Sequence, residues 1–80
     1  MELTATVAIH LDEDETNTLA FAQLDLRGDH FEASGRARRN PGDRPMPVVG
    51  EELAIARALS YLSVEVMEAA QTKIERFLAE

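Results

Sequence analysis

Eighty residues make one small domain, in which folding hides only about 60% of the surface that the unfolded chain exposes, so stability calls for a staple or a partner. Cysteine is absent, which removes disulfides and thiolate metal sites together. A composition of 45% apolar and 29% charged residues suits a soluble globular protein, and a net charge of -7 opposes blanket binding to polyanions or anionic membrane.

Neither a basic-then-apolar leader nor a run of about 20 apolar residues is present, and a cytoplasmic location is the expectation. The charge is unevenly spread. Residues 1–35 sum to -7, residues 36–47 to +3 and residues 48–80 to -3. Arg36, Arg38, Arg39 and Arg44 make up the basic block, either a surface for nucleic acid or an acidic protein, or an internal counter-charge.

In chain order, Leu3, Ala5, Val7, Ile9 and Leu11 alternate with smaller or polar residues, the period of a half-buried strand over about residues 2–11. The acidic run Asp12 to Asn17 reads as a solvated connection. Alternation resumes over 18–27, with Ala20, Ala22, Leu24 and Leu26 on one face and Leu19 and Phe21 on the other, where they form a possible outer patch. Arg27-Gly28-Asp29-His30 predicts a tight hairpin with Gly28 and Asp29 as its two turn residues. A third strand then covers 30–39. That register sets Leu26 opposite Phe31, Ala22 opposite Gly35 and Phe21 opposite Arg36, and it also sets Asp25 against Glu32, an unfavourable like-charge pair.

Three prolines and a glycine within residues 40–49 predict a crossing loop, and Gly50 opens a helix over about 51–79 with Glu51 and Glu52 in its first turn, where the helix dipole favours them. Such a helix runs roughly 45 Å against strands of roughly 30 Å. Either it breaks near residues 60–63 and folds back, or its C-terminal half meets a second copy of the chain. The absence of a helix breaker favours the second, with Leu62, Val66, Met67, Ile74, Phe77 and Leu78 as the self-association residues. The expected fold is α+β: a three-stranded antiparallel meander followed by one long C-terminal helix.

The segment from Gly50 to Leu62, GEELAIARALSYL, resembles the most recognisable stretch of a family of small actinobacterial proteins of unknown function with a dsRBD-like fold, and ASGRARRNP from Ala33 to Pro41 resembles the strand before it. The resemblance implies a β-β-β-α arrangement similar to a double-stranded-RNA-binding domain without its first helix, a homodimer, and a link to stress, dormancy or ribosome hibernation. It would carry a ribosome or structured-RNA contact through Arg36, Arg38, Arg39 and Arg44. Leu19 and Phe21 stand where the family pattern has charged residues, so the outer sheet face has changed chemistry.

Catalysis finds little support in these residues. His10 and His30 both fall on the predicted outer face, as solvated side chains that the register does not bring together. Asp12, Asp14 and Thr16 imitate the start of a calcium loop, but Asn17 and Gln23 stand where the glycine and the bidentate glutamate belong. The reading is a non-enzymatic binding protein with no cofactor, no metal and no small-molecule substrate. Its alternative is a protein-interaction module with no nucleic-acid role.

Overall fold

A computed structural model describes residues 1–79. Strands β1 (Val7–Glu13), β2 (Asn17–Leu26) and β3 (Asp29–Arg38) form an antiparallel sheet in the order β1-β2-β3, and helix α1 (Pro47–Ala79) follows. Three antiparallel strands and one long C-terminal helix are the architecture that the alternation predicts. The helix is continuous for 33 residues, without a break at 60–63.

The β2–β3 register differs from the expected one by two residues. The turn residues are Arg27 and Gly28, with φ of 47° and 87°, so both take the left-handed conformation of a type I′ turn. Leu26 pairs with Asp29, Ala22 with Ala33, Ala20 with Gly35, Leu19 with Arg36, and Asp25 with His30. The like-charge pairing of Asp25 and Glu32 is thereby replaced by a carboxylate facing an imidazole. Faces are unchanged by a shift of two, because the side-chain period is two.

The β1–β2 connection is shorter than the six residues expected. One carboxylate oxygen of Asp14 accepts the backbone N–H of Thr16 at 2.9 Å and of Asn17 at 2.7 Å, an Asx turn that lets pairing continue to Glu13↔Thr18. At the other end β1 begins at Val7, where Leu24 is its first partner, and not at residue 2.

Pro47, taken above as part of the loop, is the first helical residue. Its fixed φ suits that position, its missing N–H costs nothing there, and the Met46 carbonyl accepts the first helical bonds from Val49 and Gly50. The first turn therefore holds no acid, and Glu51 and Glu52 stand one turn further in.

The helix runs diagonally over β2 and β3, from Thr18 beside Gly50 to Asp29, whose carboxylate takes Lys73 Nζ at 2.7 Å. Gly35 makes the close approach possible. A Cβ there would overlap the Ala58 nitrogen and the Ala54 carbonyl oxygen and stand 2.8 Å from Arg57 Cβ. The core between the layers consists, among the described residues, of Ala20, Ala22, Ala37, Ala54, Ala58 and Leu62, edged by Leu24, Phe31, Ala33 and Ile55. Val7, Ile9 and Leu11 face the same side as Ala20 and Ala22 but remain 38%, 39% and 37% exposed, because the helix does not cover β1.

Candidate functional site

Two surfaces gather the residues singled out by sequence. The first is a groove of about 790 Å³ where the β1–β2 turn, the end of β3, the 40–46 loop and the start of α1 meet. Its apolar floor includes Met46, Val49 and Leu53, and its rim carries acids (Glu13, Asp14, Glu15) and bases (Arg38, Arg39, Arg44) together.

The four arginines do not act as one set. Arg39 is committed to structure: Nε donates to the Glu15 carbonyl at 3.1 Å, one terminal nitrogen donates to the Asp43 carbonyl at 2.7 Å, and its backbone N–H donates to the Thr16 carbonyl at 2.8 Å. It fastens the 40–46 loop to the β1–β2 turn. Arg36 projects from the outer sheet face opposite Leu19, and its carbonyl is taken by the Arg57 guanidinium at 2.6 Å. Arg38 and Arg44 remain on the groove, close to the acidic turn.

Electrostatics at the rim follow from local bonding. The amides of Thr16 and Asn17 hold the Asp14 carboxyl below the usual carboxylate range. A hydrogen bond to Glu13, reinforced by its charge, pushes the Glu51 carboxyl up, and Glu13 also accepts the Thr18 hydroxyl at 3.0 Å. This carboxyl pair joins the end of β1 to the second turn of α1.

His30 sits between Asp25 (Nδ1 to Oδ1, 2.7 Å) and Glu32 (Nε2 to Oε2, 3.2 Å), and those bonds raise its pKa, Asp25 contributing most. The sequence shows no such pairing until the correct register is known. The His30 side chain is 47% exposed on the outer sheet face. His10 lies apart, its ring 6.2 Å from that of Phe21. Phe21 is exposed and Leu19 half-buried on the same outer face.

The second surface is the helix itself. Leu62 belongs to the chain's own core at 4% exposure and cannot meet a partner, and Val66 is half-buried. Met67, Ile74, Phe77 and Leu78 are exposed. The sequence stripe misplaced Leu62 because the face that the sheet occupies is set by Gly35 and the alanines, which carry little weight in an apolar pattern.

A family model described as Rv2632c-like matches residues 3–80. The chain belongs to the Rv2632c-like family. It is 43% identical over 70 residues to the uncharacterised protein Mb1767 of Mycobacterium bovis, covering 88% of this chain and 74% of the relative. It is 36% identical over 72 residues to the uncharacterised protein Rv2632c of Mycobacterium tuberculosis, covering 90% and 77%. The crystal structure of Rv2632c superposes with a TM-score of 0.87 at 34% identity, covering 95% of this chain and 90% of that one. The actinobacterial relationship is thus shown, and this Rv2632c-like chain shares the sheet-and-helix architecture of its mycobacterial relative. Among the described residues of α1 no stretch is long and apolar enough to cross a membrane.

Proposed function

We propose that this Rv2632c-like chain is a non-enzymatic protein-interaction module that works as a homodimer. The observation that carries the reading is the poverty of its core. Among the described residues the buried apolar ones are five alanines and one leucine, and no large side chain is fully buried. A single copy exposes 6441 Å². A folded monomer of 8.9 kDa exposes roughly 4,800 Å² by size scaling. The excess of about 1,600 Å² lies partly in residues 1–6 and the overhanging helix end, and it exceeds the roughly 800 Å² that each partner buries in a standard interface. Shape agrees: the radius of gyration is 16.3 Å where a compact chain of this length has roughly 12 Å.

Nucleic acid fits less well as a partner. A ribosome- or RNA-linked role in stress or dormancy would run through Arg36, Arg38 and Arg44, since Arg39 is held by carbonyls. Arg38 and Arg44 share their groove with Glu13, Asp14 and Glu15, which repel a phosphate backbone. Sedimentation of the protein alone, with duplex RNA and with purified ribosomes, at low and physiological salt, tests both halves. A dimer that leaves RNA and ribosomes unbound is expected. A monomer at every concentration refutes the dimer, and ribosome or RNA binding that Arg38→Ala with Arg44→Ala abolishes refutes the protein-only reading.

A further inference from the structure

With Ala54, Ala58 and Leu62 turned to the sheet, α1 presents a second, unpartnered seam. From Val49 to Phe77 nine exposed positions recur at alternating steps of four and three, the period of a coiled-coil seam. We infer that this seam pairs antiparallel with the same seam of a second copy, about a twofold axis between Tyr61 and Leu62. The inference rests on the homodimer reading and adds its geometry.

Size complementarity sets the register. With the axis there, Leu53 faces Ala70 of the second copy and Ala56 faces Met67, so in these two pairs a bulky side chain meets a small one. Ser60 meets Ser63 at the centre, where small residues let the helices approach. The Ser63 hydroxyl is already satisfied by the Ser60 carbonyl at 2.7 Å and enters a dry seam at little cost. Val49 meets Ile74 at each end, and the same arithmetic brings Phe77, 78% exposed, to Met46 on the floor of the 790 Å³ groove.

The flanks agree. Leu59 falls opposite Val66 and widens the apolar strip. Glu52 falls opposite Lys73, whose position Asp29 holds at 2.7 Å. A parallel, in-register pair would set Met67 against Met67 and Phe77 against Phe77, losing the size complementarity. Because α1 packs on β2 and β3, Val7, Ile9 and Leu11 of β1 are left uncovered beside it.

The chain contains no cysteine, so introduced pairs report cleanly. In one helix, positions 56 and 67 are about 16 Å apart, too far for a disulfide, which needs Cα atoms within about 7 Å. The double variant Ala56→Cys with Met67→Cys, oxidised as the intact dimer, is expected to run as a covalent dimer on denaturing gels, while either single variant is not. Linkage of Ala56→Cys alone signifies a parallel pair and overturns the inference. A dimer in sedimentation with no linkage in the double variant overturns the geometry and leaves the homodimer standing, whereas a monomeric wild type removes both. As a second measurement, Ser63→Arg is expected to sediment as a monomer with its helical circular dichroism retained; a dimer indistinguishable from wild type refutes the seam.

Discussion

Gly35→Ala is the sharpest test of how the layers are held together. The added methyl would overlap the Ala58 nitrogen and Ala54 carbonyl oxygen and crowd Arg57 Cβ at 2.8 Å. Two of these three are helix backbone, which cannot rotate away as a flexible side chain would. Relief requires α1 to lift from β3, and the lift loosens the packing of Ala54, Ala58 and Leu62, half of the buried apolar core. Overpacking of this kind costs about 1–3 kcal/mol, occasionally more, and a rigid backbone neighbour places this site at the upper end. A domain of this size has roughly 4–12 kcal/mol to lose. Urea unfolding monitored by circular dichroism, at one fixed protein concentration, is expected to show a midpoint lowered by an amount equivalent to about 3 kcal/mol with an unchanged slope. Gly42→Ala, where an added Cβ meets nothing within 4 Å, serves as the control. A Gly35→Ala protein within about 0.5 kcal/mol of wild type would refute the claim that direct helix-on-glycine contact fixes the sheet-to-helix distance.

Arg27 adopts φ of 47° beside Gly28 at 87°, so Arg27→Asn supplies the preferred residue for a type I′ turn and is expected to raise stability by about 0.5–1 kcal/mol in the same assay; no gain would indicate that the turn relaxes in solution. His30 has a raised pKa in the folded state, so its contribution is complete below its ordinary value of 6.5 and fades as pH rises through the folded value. His30→Gln is therefore expected to flatten the stability profile across that window, and an unchanged profile would remove the Asp25–His30–Glu32 contact. Glu51 also has a raised value, because it hydrogen-bonds Glu13 and faces its charge, so its contribution is present in acid and lost as the pH rises through the folded value. Glu51→Gln is expected to raise the melting temperature at neutral pH, with the gain shrinking toward pH 4.5, the ordinary value of the group; an equal gain at all pH values would count against the pairing.

The meander and the helix were legible in the sequence because alternation in Val7 to Leu11 and Ala20 to Leu26, and 3.6-residue periodicity after Gly50, are strong local signals. The hairpin register was not. Arginine is a poor choice for a left-handed turn position, and Gly28-Asp29 looked the better pair by residue preference. The clue lay in the charges: the residue-preference register faced Asp25 with Glu32, and sliding by two gives Asp25 a histidine partner without changing any inward face. The helix start was missed because Pro47 ends one of several proline steps and reads as loop until its place at the first helical position is seen. Of the candidate site, Arg38 and Arg44 do reach one groove, but Arg39's role as a loop clasp depends on carbonyls of Glu15 and Asp43, which no side-chain pattern records.

The small residues explain why both surfaces exist at once. Alanines at 20, 22, 54 and 58 and glycine at 35 bring helix and sheet together closely but bury little apolar area, so close packing within one copy comes at the expense of its core. The larger apolar side chains of α1, from Val49 through Met67 to Phe77, are displaced to the face away from the sheet, and Val7, Ile9 and Leu11 are left beside it. In the proposed homodimer a second copy would restore the missing burial with residues the chain already has. On this reading the two apolar populations are not redundant: alanine and glycine set the distance between layers, and the exposed heptad positions set the partner, so a substitution in the first group shifts stability in both copies while one in the second shifts assembly and leaves the fold of each copy intact.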